Sequence, residues 1–364
     1  MKARLIFVGG FLGAGKTTLL FETAKRLMTR GEKVGLITND QASGLVDTAV
    51  LRNLSGVVQE VSGSCFCCNF DGLTDAIDSV TSINPGGMIF AEPVGSCTDL
   101  SATLLQPLKE KKSAALIVAP LTVLVDPHRA KRIVEGASSG IHRSAEYIVK
   151  KQLEEADYIL INKCDLLNPQ ERCDLARAIS DRWNQATVMC ASARTGEGLD
   201  EWLEEIRSGK SSGTHLAEVD YDIYAEGEAV LGWLNESAKL TGSAVNWNGY
   251  VRNFMENLSE RFRAAGSAVG HVKVLLETGD GKILANLTGG SATLSVRGTV
   301  SFDDSAALTI NARVETTPND LQRIVNEELS RANADTVSCS IEAVNCLTPG
   351  RPNPTHRYDH IVNA

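Results

Sequence analysis

Leu5-Ile6-Phe7-Val8-Gly9-Gly10-Phe11-Leu12-Gly13-Ala14-Gly15-Lys16-Thr17-Thr18 is the stretch that decides the fold class. A short apolar run ends in glycines, and a segment with helical patterning follows over residues 17–29. Between them, residues 10–17 fit G-x-x-x-x-G-K-[ST] and join a strand to a helix, the context that motif requires. Glycines let the backbone curl until its N–H groups face a phosphate, and the helix N-terminus adds partial positive charge. In this reading Gly10, Gly13, Ala14 and Gly15 cradle the phosphates, Lys16 reaches the outer ones, Thr17 takes Mg2+ through its hydroxyl, and Thr18 binds an inner phosphate.

The pattern around this loop extends over roughly the first 205 residues. Short apolar runs at 5–9, 34–38, 57–61, 87–91, 115–125, 158–161 and 187–190 alternate with helix-length segments, clearest at 17–29, 145–156 and 169–183. Such alternation specifies an α/β unit with a mostly parallel sheet, here a P-loop NTPase domain over residues 1–207. Residues 208–214, rich in Gly and Ser, read as a flexible linker. Beyond them, residues 215–364 form a smaller α+β C-terminal domain related to client or metal. Its pattern is a strand-like stretch at 226–234, a helix at 247–265, strands at 271–277, 283–288, 293–300 and 308–314, a helix at 318–332, a strand at 337–344 and an extended tail with three prolines at 349–357.

A length of 364 residues suits two domains at roughly 150 residues each. With 43% hydrophobic and 22% charged residues the chain is an ordinary globular protein. No run reaches the ~20 apolar residues of a membrane span, and the apolar start is too short for an export signal, so the cytoplasm is the expected address. A net charge of −9 and a pI near 5.3 argue against nucleic acid as a partner. Nine cysteines are an odd number, and three crowd into residues 65–68, which favours thiolate chemistry over a disulfide framework.

The second informative motif, Asn162-Lys163-Cys164-Asp165, follows an apolar strand. A carboxylate there accepts both the N1 and the exocyclic amino hydrogens of guanine, and adenine has no such donor pair. Lys163 covers the base with its stem, Asn162 braces the loop, and Ser192-Ala193 offers a backbone N–H to the base. Glu92 ends an apolar run where a P-loop enzyme holds Mg2+ or its water shell, and the N–H of Gly95 senses the γ-phosphate. Asp40, after the second strand, is a further candidate for orienting Mg2+ or the attacking water. No arginine finger can be assigned, so slow intrinsic turnover is expected, with acceleration by a partner, metal or dimerisation.

Cys65, Cys67 and Cys68 supply three soft thiolates within four residues, suited to Zn2+, Cu(I) or another thiophilic ion. In an extended chain Cys68 points away from the other two, so all three meet one ion only if the chain turns. Three ligands leave an open position, which suits transfer better than permanent structure. Water, Asp40, Cys97 or a group on another chain could fill it. The phosphate loop, Asp40, the cysteines, Glu92 and Asp165 all follow strands and so belong at one edge of the sheet.

The phosphate loop, the C-x-C-C cluster, the E-x-x-G of residues 92–95 and N-K-x-D, in this order, resemble the CobW family of metallochaperone GTPases, relatives of the nickel-insertion GTPases of hydrogenase and urease maturation. The resemblance covers about the first 205 residues. It implies a GTPase using GTP and Mg2+ that loads Zn2+, Co2+ or another transition metal into a metal- or corrinoid-dependent client. A metal-dependent client protein is then the expected partner, a homodimer is open, and neither nucleic acid nor membrane is expected. The family shows N-E-F-G where this chain has Asn39-Asp40-Gln41-Ala42, Gly where it has Ser64, and His-rich segments that are absent here. Two alternatives stand beside this reading: a GTP- and metal-responsive regulatory switch that transfers no ion, and a P-loop ATPase or small-molecule kinase.

Overall fold

The computed structural model describes residues 2–39, 46, 51, 57–138, 140–208, 211–289, 293–334 and 336–363. Strand β1 (Ala3–Gly10) lies at the centre of a parallel sheet with β2 (Val34–Asn39), β3 (Val57–Val61), β4 (Met88–Glu92), β5 (Leu116–Val118), β6 (Thr122–Val125), β7 (Tyr158–Ile161) and β8 (Thr187–Cys190). Their order is β3-β2-β4-β1-β6-β7-β8, with β5 also paired to β1. The expected single strand over 115–125 is two. Its break contains Pro120, which has no N–H for the ladder, and β1 pairs with one piece through residues 3–5 and with the other through residues 8–10.

Alternate residues of these strands sort into two buried clusters, one on each face. Leu5, Phe7, Ile89, Ala91, Val123, Val125, Ile159 and Ile161 pack on one side, and Ile6, Val8, Phe90, Leu124 and Leu160 on the other. Burial on both faces explains why the strands read as continuous apolar runs. Helix α1 (Lys16–Thr29) and α7 (Leu199–Arg207) cover the second face. The first face is covered by α2 (Phe70–Ile83), α3 (Gln106–Lys112) and α5 (Arg143–Glu154), with α4 (Pro127–Val134) and α6 (Pro169–Arg182) at its margin. All these strands run parallel, so the segments that follow them emerge at one edge.

Residues 211–214, part of the stretch read as a linker, are tied down: the Gly213 and Thr214 N–H groups donate to Asp157 at 2.6 and 3.0 Å. The strand expected at 226–234 begins instead as helix α8 (Tyr221–Ala229), which packs on α5. Strand β9 (Gly232–Val245) follows it. With β10 (Val269–Glu277), β11 (Lys282–Thr288), β12 (Thr293–Arg297), β13 (Asp303–Val314) and β14 (Val337–Leu347) it forms an antiparallel sheet of order β12-β11-β10-β13-β9-β14. One face buries Leu234, Val272, Val274 and Ile310 under α9 (Trp247–Ala264) and α10 (Pro318–Asn333). The rim of this sheet reaches the phosphate loop: a Cβ on Gly13 would lie 3.1 Å from Gly270 O. The fold is therefore a P-loop α/β domain followed by a separate α+β domain.

Candidate nucleotide and metal sites

Outward carbonyls define the phosphate loop. Lys16 Nζ donates to Gly10 O at 2.8 Å, Arg129 Nη1 to Leu12 O at 3.0 Å, Lys163 Nζ to Gly13 O at 2.8 Å and Asn162 Nδ2 to Ala14 O at 2.8 Å. The Ala14 N–H closes a turn within the loop on Phe11 O at 3.1 Å, so the loop is held in a compact curl between β1 and α1, the setting in which backbone N–H groups form anion nests. Gly10, Gly13 and Gly15 have φ of 123°, 79° and 98°. A Cβ on Gly10 would stand 2.3 Å from Leu124 O, and one on Gly15 2.3 Å from Asn162 Nδ2. Thr17 and Thr18 lie in the first turn of α1.

Glu92 stands against the end of the phosphate loop. Its Oε1 accepts the Thr17 hydroxyl at 3.0 Å and lies 4.0 Å from Lys16 Nζ, all three groups being brought together from the ends of β1 and β4. Thr17 and Glu92 present hard oxygen donors, the chemistry that suits Mg2+. Gly95 packs against the same lysine: a Cβ there would sit 3.0 Å from Lys16 Nζ. Asp40 lies outside the described residues.

Beyond β7, Asn162 holds the phosphate loop through Ala14 O, and its Oδ1 also accepts the Ala193 N–H at 2.9 Å. Asp165 accepts the Ser192 hydroxyl at 2.5 Å and pairs with Arg194. Burial alone would raise the Asp165 carboxyl, but these two hydrogen bonds hold it below its ordinary value. The Lys163 ammonium is shared between Gly13 O and Asp126, 2.8 Å away. Asp126 and Arg129 are absent from the sequence-based site. Asp126 follows β6 at the ligand edge and was open to the rule that found Glu92, whereas Arg129, packed 5.0 Å over the Phe11 ring, carries no sequence signal.

The cysteine segment does turn. The N–H groups of Cys68 and Asn69 both donate to Cys65 O, at 3.0 and 2.9 Å, as a helical turn leading into α2, with Asn69 capping that helix through Gly72 N. All three sulfurs come within 4.8 Å of one another, Cys65 to Cys67 at 3.0 Å and Cys67 to Cys68 at 3.8 Å. Contacts with Cys67, Cys68 and Cys97 hold the Cys65 thiol down, while contact with Cys65 pushes Cys67 up and Cys68 up to about 11. Asn39 ties the turn to the end of β2: its Nδ2 donates to Val61 O and Ser64 O, and its Oδ1 accepts the Phe66 N–H at 2.7 Å.

The chain beyond β14 crosses this turn as a strap. Asn353 N donates to Cys68 Sγ at 3.3 Å, Thr355 N to Cys67 O at 2.8 Å, and the His356 ring meets Phe70 edge-on at 4.9 Å. Arg357 Nε then pairs with buried Asp99 at 2.7 Å.

The family profile of the CobW/HypB/UreG nucleotide-binding domain matches residues 4–190. The chain belongs to the CobW/HypB/UreG family. This CobW-family chain is 26% identical over 182 residues to the zinc chaperone YeiR of Escherichia coli, covering 48% of the chain and 50% of the relative. It is also 26% identical over 169 residues to the zinc chaperone YjiA of the same organism, covering 45% of the chain and 50% of the relative. The chain thus spans about half the length of the curated relatives it matches. Similar solved structures include HypB from Helicobacter pylori in complex with nickel, at 16% identity and a TM-score of 0.41, covering 58% of this chain and 90% of that one. Another is the Zn(II)-bound YjiA GTPase, at 15% identity and a TM-score of 0.36, covering 90% of this chain and 99% of that one. No helix among the described residues is long and apolar enough to cross a membrane.

Proposed function

We propose that this CobW-family protein is a slow GTPase that holds a thiophilic ion, Zn2+ or Co2+, on Cys65, Cys67 and Cys68 and hands it to a metal-dependent client when GTP is hydrolysed. One observation carries the reading: a three-thiol nest and a phosphate loop share one edge of one sheet, and Asn39 and Glu92 end the strands between them. Its similarity to two zinc chaperones is consistent with it.

This reading assigns the following roles. The phosphate-loop amides and Lys16 bind the phosphates; an ammonium has three donors, so Lys16 can keep Gly10 O and still reach the γ-phosphate. Thr17 and Glu92 would hold Mg2+, which would supply charge neutralisation on the phosphates. Gly95 N–H meets the γ-phosphate, and Asp40 orients the attacking water or Mg2+. Water attacks the γ-phosphorus as the bond to the bridging oxygen breaks, leaving GDP and phosphate. Turnover is slow because Arg129, the arginine against the loop, is engaged with Leu12 O and Phe11. Asp165 accepts the guanine N–H pair, so Asp165→Ala should lower GTP affinity about 100-fold while leaving ATP unaffected. Metal affinity is to be measured anaerobically, by competition with a chromophoric chelator, for protein with GDP, a non-hydrolysable GTP analogue or neither. Delivery driven by GTP requires affinities that differ; equal values in the two nucleotide states sink it.

A further inference from the structure

The thiol nest has a fourth neighbour. Cys97 stands two residues beyond Gly95, is only 2% exposed, and its thiol interacts with both Cys65 and Cys67. It lies outside the group of three sulfurs that fall within 4.8 Å of one another, and among the described residues no histidine or carboxylate joins that group. A tetrahedral thiolate site with metal–sulfur bonds of about 2.3 Å spaces its sulfurs about 3.8 Å apart. Cys65, Cys67 and Cys68 already approximate three such vertices, and the Cys97 thiol borders Cys65 and Cys67.

What sets Cys97 apart from an ordinary packed thiol is the segment that carries it. Gln152 Nε2 clamps both Gly95 O, at 3.1 Å, and Cys97 O, at 2.7 Å, while Cys97 N donates to Val94 O at 2.9 Å. Residues 94–97 therefore form a short turn braced from within and by one side chain. At one end Gly95 abuts Lys16 and Leu12 of the phosphate loop, and at the other the Cys97 sulfur faces the thiol nest. Helix α8 backs this turn: Glu228 accepts the Ser96 hydroxyl at 2.6 Å and Tyr224 Oη accepts the Thr98 N–H at 3.3 Å.

We propose that Cys97 is the nucleotide-controlled fourth ligand of the metal held by Cys65, Cys67 and Cys68. The inference rests on the metal-binding reading above and adds its switch. With GTP, contact between the γ-phosphate and Gly95 draws the turn so that Cys97 closes the tetrahedron; its thiol gives its proton to solvent as the sulfur–metal bond forms. After hydrolysis the turn relaxes, that bond breaks, the sulfur takes a proton back, and the ion is left on three thiolates with one vertex open to an incoming ligand from the client.

The test uses the full chain loaded anaerobically with Co2+, whose thiolate-to-metal charge-transfer intensity scales with the number of bound sulfurs. Wild-type protein should show about one third more intensity with a non-hydrolysable GTP analogue than with GDP, four thiolates against three. Cys97→Ala should show the three-thiolate intensity with both nucleotides, and Cys97→Ser, closer in shape, gives the same reading should the alanine variant fold poorly. Nucleotide-dependent intensity that survives in both variants overturns the proposal, as does wild-type intensity equal in the two states. A wild-type spectrum without thiolate bands, or one indifferent to Cys67→Ala, overturns the metal reading itself and so is distinguishable from failure of Cys97 alone.

Discussion

Asp165 shows how a recognition carboxylate is kept ready. Arg194 Nη2 donates to one of the Asp165 carboxylate oxygens and the Ser192 hydroxyl to the other, the two acceptors that the proposed function assigns to guanine. On that reading Arg194 competes with the base for one oxygen. Arg194 is 63% exposed, so the competing pair is worth ~0.2–1 kcal/mol. Arg194→Ala is therefore expected to tighten GDP binding by up to about fivefold, read by calorimetric titration. Unchanged or weaker binding would show that Arg194 instead supports the bound base. The motif residues themselves were legible in the sequence because their chemistry depends on type and order. Arg194 directly follows Ser192-Ala193, but its pairing was not visible, since an ion pair across 29 positions has no local signature.

Helix α8 is where local patterning failed, and the reason is physical. Gly227 sits within it, and glycine in a helix interior is disfavoured by about 1 kcal/mol relative to alanine, so the segment carried a weak helical signal beside the apolar run 229–234. The structure uses the missing side chain for close approach to α5: a Cβ there would lie 2.4 Å from Ser144 O and 2.7 Å from Ser144 C. Gly227→Ala opposes two effects, a gain near 1 kcal/mol in propensity and an overpacking cost of ~1–3 kcal/mol against rigid backbone. The backbone clash should prevail, lowering stability by ~1 kcal/mol or more in urea denaturation. A more stable variant would mean that α8 can slide on α5 at little cost. Strands such as β1 and β4, by contrast, were readable because burial on both faces writes an uninterrupted apolar run, and the strand of that sheet read as unbroken, over 115–125, contains Pro120, a residue whose effect on the ladder is known in advance.

On the scale of the whole molecule, the turn at residues 94–101 is anchored by carboxyls that the core keeps neutral. Glu155 accepts the Thr98 hydroxyl at 3.0 Å and the Ser101 N–H at 2.8 Å, and burial, reinforced by the charge of Asp99, pushes it up to about 8. Unfolded, such a group titrates near 4.3. Between these values the unfolded chain has released the proton and the folded one has kept it, so this contribution is complete below pH ~4.3 and declines until pH passes about 8. Glu155→Gln should flatten that decline: relative to wild type, its melting temperature should rise on going from pH 5 to pH 8.5, by a free-energy equivalent on the order of a few kcal/mol. Parallel melting curves across this range would show that Glu155 is ionised in the folded protein.

The strap from residues 353–357 closes a loop of 285 positions between Asn353 and Cys68. The chain segment leading into it leaves β14, so an opening of that strand loosens the hold on the cysteine turn. Alkylation of Cys68 then becomes a clock for partial unfolding elsewhere: its rate reports how often the distal sheet lets go, in a region that supplies no sulfur to the nest.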